Sequence, residues 1–562
     1  MLLMEVYHRG QLCGLLGDAI ISKSEPILPF LLALPAAIDV FQLFSATQCL
    51  FSPVFVFTYK MSDLKASVAE TPSGFHVEGY EKIEYDFTFI DGVFDIKRSE
   101  LADCYKQWGR CLAVMDYNIF NVYGEQMQKY FDHHNIELDI HKTMIGEKAK
   151  SIDTFLSIVD SMNKFGIYRK EPVLVIGGGL VTDVAGFACA AYRRNTNYIR
   201  IPTTVIGLID ASVSIKVAVN YGNYKNRLGA YHAPMHTFLD FTFLRTLPEA
   251  QIRNGFAELI KISTCAHLPT FNLLDKYCEQ LISTGFGRKD GASQEVRNAA
   301  DDINRAGIHE MLKLETPNLH EIGLDRVIAY GHTWSPLHEL VPDVPLRHGH
   351  AISIDMAYSA TLANMRGILS DEDHKRILNL FSRAGLSMDH HQFDEEILDK
   401  GTKAILRTRD GKLRAAVPSP LGRCVFLNDV SMDDMYAALR RHKSLMKDYP
   451  RNGEGLEAFV DASDTGYTVN GLPVELNGSS TNAKLKVLND DVKATGVATN
   501  GHVDVDGKRT NGITKATKHA SGPEGVDGLQ GGAVDAVPNG YSNGIANGVN
   551  GNANGVHTNG VH

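Results

Sequence analysis

The chain of 562 residues has few cysteines and no excess of basic residues. Its eight cysteines include no Cys-x-x-Cys pair, which excludes a zinc ribbon and a dense disulfide framework and indicates reduced thiols in a cytoplasmic protein. Acidic residues outnumber basic ones by 66 to 56, so neither nucleic acid nor an anionic membrane is expected as the main partner. A composition of 44% hydrophobic and 22% charged residues excludes a wholly disordered chain.

The first 60 residues contain the most apolar stretch of the sequence. Residues 27–59 carry a single charge, Asp39, and are long enough to span a bilayer, which takes about 20 apolar residues. Pro29, Pro35 and Pro53 interrupt this stretch, and no basic start precedes it as in a signal peptide. Three interpretations stay open for residues 1–60: an appendage ahead of a start at Met61, a membrane anchor, or packed structure.

The last 107 residues, 456–562, differ in composition from the rest of the chain. They contain three aromatic residues, and six Asn-Gly dipeptides lie between Asn539 and Gly560. No alternating apolar strands flank these dipeptides, so hairpins are not expected. The composition predicts a disordered tail that is dispensable for chemistry.

The folded body is predicted to comprise an α/β domain at 75–245 and a helical domain at 246–455, after a leader at 1–74. Residues 173–194, VLVIGGGLVTDVAGFACAAYRR, predict a buried strand, a glycine turn and a helix. A second β-rich run follows at 197–210, and strand–glycine turn–helix–strand is the unit of a Rossmann-like nucleotide-binding fold. After Pro248 the apolar spacing lengthens toward 3.6, which predicts an all-helical second domain.

The glycine turn Gly177-Gly178-Gly179 is the first candidate binding site. Glycines between a strand and a helix let backbone N–H groups approach a phosphate, although a lone Gly-Gly-Gly is also typical of a plain tight turn. Residues 201–234 add a dense set of polar side chains between apolar strands, which is costly unless they line a wet, charged site. Lysines here and the pair Arg193-Arg194 suit an anionic ligand.

A candidate metal site comes from the second half. Glu258 and Lys261 lie one helical turn apart and share a face. His332 in GHTWSP and His348 and His350 in RHGH follow. Two imidazoles and a carboxylate with open positions form a catalytic zinc arrangement, although any one of the 22 histidines alone is more often an ordinary residue.

These segments together resemble a known family. The chain contains, in order, IGGGLVTDVAGF, IPTTVIGLIDASVSIKVAVN, KNRLGAYHAP, FAELIKI and GHTWSP…RHGHAIS. This ordered set resembles the sugar phosphate cyclases, whose founding member is dehydroquinate synthase, over about 80–445. The resemblance implies NAD, a zinc or cobalt ion, a small sugar phosphate substrate and a homodimer.

The resemblance also implies site residues. Those for NAD are Asp116, Asn118, Glu147, Lys150, Gly178, Gly179, Asp183, Thr203 and Thr204. The metal ligands are Glu258, His332 and His348. Catalytic residues are Asp210, Lys216, Asn226 and Lys261, and the substrate-binding residues are Lys225 and, at the family's phosphate-binding position, Arg194.

Departures from the family pattern bear on the substrate. Dehydroquinate synthases have histidine where this chain has Pro336, asparagine where it has Ala329, and arginine where it has Asp325. These changes weigh against a substrate with a carboxylate. At these positions the chain resembles instead the cyclases that act on sedoheptulose 7-phosphate.

Three further positions bear on the product. The chain reads Glu315, Ala329 and Thr408, as in the desmethyl-4-deoxygadusol synthases of mycosporine biosynthesis, whereas 2-epi-5-epi-valiolone synthases tend to have Leu, Asp and His. The resemblance then implies a cyclisation that loses phosphate and also water, with Glu315 as a general acid or base for the dehydration.

Four different functions stay open at this point. Two are those of related cyclases, a 2-epi-5-epi-valiolone synthase and a 3-dehydroquinate synthase. The third is a metal-dependent alcohol dehydrogenase, which would release NADH in stoichiometric amounts. The fourth is a nucleotide-binding regulator without catalysis, which would not need Lys216 and all three metal ligands.

Overall fold

The structure, a computed structural model, describes residues 65–143, 146–222, 224–461 and residue 464. The interpretations of residues 1–60 and the Asn-Gly segment of the predicted tail lie outside the described residues and stay predictions.

The described chain begins with an exposed antiparallel hairpin. Its strands are β1 (Lys65–Thr71) and β2 (Gly74–Tyr80). Val68, Phe75 and Val77 on this hairpin are 68%, 76% and 70% exposed. The predicted boundary between residues 74 and 75 falls inside the hairpin and is therefore misplaced, because it separates β1 from its hydrogen-bonded partner.

A six-stranded parallel sheet forms the centre of the first half. Its strands are β3 (Asp86–Phe89), β4 (Arg110–Asp116), β5 (Glu137–Thr143), β6 (Val173–Gly177), β7 (Tyr198–Pro202) and β10 (His236–Leu239). They lie in the order β3-β10-β7-β6-β4-β5, and every pairing is parallel. The central strands β6 and β7 are buried along their whole length, as is typical of strands with both faces covered.

Helices follow these strands in the chain. They are α1 (Glu100–Asp103), α2 (Tyr117–His133), α3 (Ile152–Phe165) and α4 (Gly179–Ala191). Asp116 caps α2 by accepting a hydrogen bond from the Ile119 amide at 2.8 Å, and Ser151 caps α3 by accepting one from Thr154 at 3.3 Å. The alternation of strands and helices confirms the predicted Rossmann-like α/β fold.

A polar hairpin leaves the sheet after β7. It is formed by β8 (Lys216–Tyr221) and β9 (Tyr224–Tyr231), and one turn of π-helix (Gly207–Ala211) precedes it. Arg200 on β7 is fully buried and donates to the carbonyls of Ser212 and Ser214 at 2.8 and 3.0 Å. Arg200 therefore fixes the connection that carries Asp210 and Lys216.

The second half of the chain is a helical domain. Its helices are α5 (Glu249–Ala266), α6 (Leu268–Ser283), α7 (Gln294–Glu315), α8 (Ser335–His338), α9 (His348–Met365), α10 (Asp371–Arg383), α11 (Glu395–Thr408) and α12 (Met432–Met446). α5 and α9 pack against each other and are buried on nearly all sides. None of the helices in the described chain has both the length and the apolarity needed to cross a bilayer.

One short hairpin interrupts the helical domain, which is therefore not all-helical as predicted. Strands β11 (Ala415–Pro418) and β12 (Cys424–Leu427) pair antiparallel. Each strand has four residues, too few for an alternating pattern to stand out from the helical spacing around it.

The packed chain continues past the domain end predicted at residue 455. Phe459 pairs with Leu346 in an isolated antiparallel bridge, and Asp464 forms an ion pair with Arg347. The boundary of the predicted tail was therefore placed too early, because composition does not reveal contacts made by a few residues with a distant segment.

Candidate active site

Three side chains from separate elements converge in the helical domain. Glu258 lies in the middle of α5, His332 lies in the loop before α8, and His348 is the first residue of α9. One possible ligand atom of each lies within 4.8 Å of the others, which is within reach of a single metal ion. The structure thus brings the three predicted metal ligands together. His350, two residues after His348 on α9, is buried outside this cluster, and its Nδ1 lies 2.9 Å from the Ser387 hydroxyl.

Hydrogen bonds orient both imidazole rings of this cluster. His348 directs Nε2 toward Glu258 Oε1 at 2.9 Å, while its Nδ1 lies 3.3 Å from Glu339 Oε2. His332 Nδ1 lies 3.2 Å from the Tyr330 carbonyl, which leaves Nε2 for the cluster. A second partner on the far ring nitrogen is typical of metal-bound histidines. Both the donor set and its supports therefore fit zinc.

The charge states also fit a metal site. Burial would lower the pKa of His348, but hydrogen bonds to Glu258 and Glu339 raise it to about 9. Burial and the positive charges of Lys261 and His348 lower the pKa of His332 well below its usual range. Burial opposes ionisation of Glu258, yet Lys261 and the hydrogen bond from His348 hold its pKa far below the ordinary value. Glu258 is thus ionised and His332 neutral, the forms that bind metals, whereas the raised pKa of His348 means that this ring must give up a proton when it binds a metal.

Lys261 links the metal cluster to the α/β half. Its buried ammonium lies 2.5 Å from Glu258 Oε2 and donates to Asp210 Oδ2 at 2.7 Å. Burial would lower the pKa of Lys261, but the two carboxylates raise it well above its ordinary value. Lys261 is therefore a fixed positive charge beside the metal cluster, suited to stabilise an oxyanion.

A cavity of about 110 Å³ lies on the α7 side of this region and is lined by Lys216, Glu315, Glu321 and Arg326, among others. Lys216 Nζ lies 3.1 Å from Glu315 Oε1 and 3.1 Å from Glu321 Oε1, and Glu321 also pairs with Arg326. Burial raises the pKa of Glu315, and the nearby Lys216 ammonium opposes this shift. Glu315 is thus a buried carboxylate able to hold a proton.

The other two predicted product-determining residues differ in position. Ala329 is buried in the turn before the metal cluster, where its carbonyl accepts a hydrogen bond from the His332 amide at 2.9 Å. Thr408 is exposed at the end of α11, and its hydroxyl donates to carbonyls of its own helix, those of Ala404 and Ile405. The structure does not bring Thr408 to the pocket, so its predicted catalytic role is not supported. The spacing from His332 could not show how α11 turns.

The glycine turn lies at the carboxyl ends of the sheet strands, where ligands of such folds bind. Asp116 ends β4, Gly177 ends β6, and Thr203 follows β7, with its amide donating to the Gly177 carbonyl at 3.0 Å. A Cβ on Gly177, whose φ is 157°, would lie 2.9 Å from Asp116 Oδ2. The Thr203 hydroxyl is buried and has no hydrogen-bond partner within the described chain. A closely packed glycine turn at a helix start, beside an unsatisfied buried hydroxyl, fits a nucleotide.

The remaining predicted cofactor residues lie around this turn. Gly178 caps α4 and Gly179 begins it, while the Thr204 hydroxyl accepts a hydrogen bond from the Gly207 amide at 3.0 Å. Asn118 is half-buried in the first turn of α2. Burial raises the pKa of Asp183 against the opposing effect of Lys150.

Two lysines connect this region to β9. The buried Lys150 ammonium donates to both Asp183 and Asn226. Lys225 Nζ lies 2.6 Å from Glu339 Oε1 and 3.5 Å from Glu147 Oε1. The residues predicted to bind the cofactor and those predicted to act on the substrate are thus joined in one polar network.

Arg194 is the predicted residue that lies apart. It is exposed, with a φ of 73°, just past the end of α4, whereas the glycine turn lies at the start of this helix. A helix of 13 residues is about 20 Å long. Arg194 therefore lies at the opposite end of α4 from the glycine turn, and its contact with the substrate phosphate stays a prediction.

Sequence reasoning missed Glu339 as a site residue, although it joins His348 to Lys225. Glu339 is 5% exposed, and Lys225 and His348 hold its pKa far below the ordinary value despite burial. The one usable signal was a carboxylate directly after His338 within the apolar segment TWSPLHEL, since a buried charge needs partners. Glu321 gave no such signal because it lies in a polar loop.

Comparison with known protein families is consistent with this geometry. The family model described as 3-dehydroquinate synthase N-terminal matches residues 141–254, and that of the 3-dehydroquinate synthase C-terminal family matches 255–405. The demethyl-4-deoxygadusol synthase of Trichormus variabilis is 55% identical over 399 residues, 71% of this chain and 97% of that protein. A 2-epi-5-epi-valiolone synthase of Actinomyces sp is 35% identical over 370 residues, 65% of this chain and 96% of that protein.

Solved structures share the fold. The 2-epi-5-epi-valiolone synthase from Streptomyces hygroscopicus subsp. jinggangensis, solved with NAD⁺ and Zn²⁺ bound, has a TM-score of 0.62 and 34% identity and covers 66% of this chain and 99% of its own. A 2-deoxy-scyllo-inosose synthase, complexed with carbaglucose-6-phosphate, NAD⁺ and Co²⁺, has a TM-score of 0.53 at 21% identity, covering 65% of this chain and 97% of its own. The chain therefore belongs to the sugar phosphate cyclases of the dehydroquinate synthase-like family.

Proposed function

We propose that this chain converts sedoheptulose 7-phosphate into desmethyl-4-deoxygadusol in mycosporine biosynthesis. The observation that carries the proposal is the buried Glu315, paired with Lys216 at 3.1 Å, where valiolone synthases tend to have an apolar leucine. Ala329 supports the same product, since valiolone synthases tend to have aspartate there. The 55% identity to a demethyl-4-deoxygadusol synthase, against 35% to a valiolone synthase, favours the same activity.

The overall reaction balances without an external oxidant. Loss of phosphate from the sugar phosphate with ring closure yields a compound of valiolone composition, and removal of one water molecule then yields the deoxygadusol. The second step needs a group that donates or accepts a proton next to the reacting carbons. Glu315 suits this role because its burial raises the pKa of the carboxyl, so that it can hold a proton at a pH where an exposed glutamate cannot.

NAD and a zinc or cobalt ion are proposed as the cofactors of this lyase. Gly178, Gly179 and Thr203 would hold NAD, and Glu258, His332 and His348 would hold the metal. When bound, NAD supplies a reversible hydride acceptor and the metal supplies a Lewis acid. The relatives of known structure carry NAD⁺ with Zn²⁺ or Co²⁺, which supports both assignments.

Three lysines are proposed to bind the anionic oxygens of the substrate. Lys261 lies beside the metal cluster, Lys216 beside Glu315, and Lys225 beside Glu339. All three are at least partly buried and approach from different elements, so they can fix the sugar phosphate in one orientation. Holding both reacting carbons in one pocket is a large part of the rate enhancement in an intramolecular ring closure.

A cytoplasmic homodimer is proposed as the working form of the enzyme. The described cysteines at 104, 111, 189, 265, 278 and 424 are all free thiols, which suits a reducing compartment. Light scattering on the purified full-length chain tests the oligomeric state, and a monomeric mass would contradict the dimer.

The central test is product analysis of the full-length chain with sedoheptulose 7-phosphate, NAD⁺ and zinc. We expect an ultraviolet-absorbing product, because the deoxygadusol contains a conjugated enolone, with a mass one water below that of valiolone. A product of valiolone mass without this absorbance would instead identify a valiolone synthase.

The same assay distinguishes a dehydroquinate synthase, a dehydrogenase and a regulator. Turnover of 3-deoxy-arabino-heptulosonate 7-phosphate alone would identify a dehydroquinate synthase, and stoichiometric NADH release would identify a dehydrogenase. NAD binding without turnover of either substrate would indicate a regulator.

A further inference from the structure

Residues 456–461 together with Asp464, named here the C-terminal strap, cross the helical domain beside the metal ligands. The Leu456 amide donates to the Gly385 carbonyl at 2.8 Å, which anchors the start of the strap. The strap then runs antiparallel to residues 345–347. The Arg347 amide donates to the Ala458 carbonyl at 2.8 Å, and the Val460 amide donates to the Pro345 carbonyl at 2.9 Å. The segment leading into α9 is therefore paired with the strap.

The strap also neutralises a buried arginine next to a metal ligand. Arg347 is 2% exposed and directly precedes His348. Its guanidinium lies 2.8 Å from Asp464 and 2.9 Å from Asp461, and it donates to the Glu457 carbonyl. Breaking a buried ion pair by removing one partner is strongly unfavourable, since the other charge stays uncompensated. The side chain of Arg347, directly before α9, is thus held in place by the strap.

The strap contacts the helix of the other metal ligand as well. Two side chains of α5, at positions before Glu258, bond to the strap. Arg253 pairs with Glu457 at 2.7 Å, and Gln251 donates a hydrogen bond to Asp464. α5 and α9 touch at this level, because a Cβ on Gly349 would collide with the Asn254 carbonyl oxygen. One segment therefore clamps the two helices whose side chains, Glu258 and His348, meet at 2.9 Å.

We propose that the C-terminal strap is a positioning element for the metal centre, in which Asp461 and Asp464 hold Arg347 and so fix His348 against Glu258. This inference rests on the metal-dependent function proposed above. The strap lies beyond residue 405, where the match to the family models ends. Asp461 and Asp464 both pair with Arg347, the residue directly before His348, and this is the route by which they act on the metal ligand.

The test compares zinc affinity, by chelator competition, in the full-length wild type, in Asp461→Asn/Asp464→Asn, and in the control Asp429→Asn. Asp429 forms an exposed ion pair with Arg366 at 2.7 Å, so its change removes an aspartate charge of the same kind elsewhere. We expect the double variant to bind zinc about tenfold or more weakly, as for other residues that orient ligands, and the control to match the wild type. NAD affinity, which depends on the glycine turn, stays unchanged in all three.

Two results separate this proposal from the proposed function. Zinc affinity of the double variant equal to that of the wild type would overturn the role of the strap and leave the metal site intact. Absence of zinc binding in the wild type would overturn the metal-dependent function itself. Should the double variant fail to fold, Asp461→Asn alone removes the more exposed carboxylate, 59% exposed, and is expected to weaken zinc binding severalfold. An unchanged affinity there also overturns the proposal.

Discussion

His332 is the proposed metal ligand whose role is simplest to isolate, since burial lowers the pKa of its ring and the Tyr330 carbonyl holds its Nδ1. His332→Ala is expected to abolish turnover and to weaken zinc binding by more than about 100-fold, because changes in orienting residues alone cost 10–100-fold. NAD affinity should stay within about twofold of the wild type, as expected for distant sites. Isothermal titration with each ligand measures both. His309→Ala, at a histidine that is 71% exposed, is the matched control, and retention of full activity in His332→Ala would contradict the ligand assignment.

Product choice is also expected to depend on single residues. Glu315→Leu/Ala329→Asp is expected to shift the product from the ultraviolet-absorbing deoxygadusol toward the valiolone, because it removes the buried acid at Lys216 and adds a carboxylate three residues before His332. Thr408→His should leave the product unchanged, since Thr408 is exposed and bonds to its own helix. Chromatography with ultraviolet and mass detection measures the ratio of the two products. An undiminished deoxygadusol yield from the double variant would show that other residues set the outcome.

At the scale of the elements, two truncations are expected to behave differently, because one keeps the C-terminal strap and the other removes it. A chain ending after residue 470 keeps Asp461 and Asp464, and its turnover should stay within about twofold of the full-length rate, because the composition of the removed residues predicts no core of their own. A chain ending after residue 455 leaves Arg347 buried without its carboxylates, which costs about 3–5 kcal/mol for a buried pair, so it should lose stability and zinc affinity. Thermal unfolding and zinc titration of both chains measure the difference. Equal behaviour of the two chains would contradict the packing of the strap.

The same elements show what the sequence could predict. The strand at 173–177 and the helix after it were predictable because both are local: an apolar run, a glycine turn and small residues follow one another. The convergence of the three proposed metal ligands was predictable because the family resemblance supplied their pairing across 90 positions, from Glu258 to His348. The strap was not predictable, because its six or so residues have no pattern of their own and gain their role from Arg347 and α5. Glu339 and the orientation of Thr408 depend on side-chain direction in three dimensions, which spacing along the chain does not contain.

For the whole molecule, metal binding is expected to be coupled to folding. The metal cluster joins α5, α9 and the loop before α8, and Lys261 ties it to Asp210 of the α/β half. Zinc at about 100 times its Kd should therefore stabilise the native chain by ~2.7 kcal/mol and raise the Tm by a few degrees. Calorimetry with and without zinc measures this shift. His332→Ala should show no such rise, and an equal rise in that variant would indicate binding elsewhere.

The pairing of each of the three lysines proposed to bind substrate with an internal carboxylate has a consequence for turnover in the cell. Lys216, Lys225 and Lys261 each have a carboxylate oxygen within 3.1 Å, contributed by another element. A small free anion must break one of these ion pairs to bind, and only its own charge can replace the contact that is lost. A sugar phosphate also brings hydroxyl groups that can replace the lost contacts. On the proposed function, the released inorganic phosphate is therefore expected to compete poorly with fresh substrate, so that product inhibition by phosphate stays weak even where that ion accumulates.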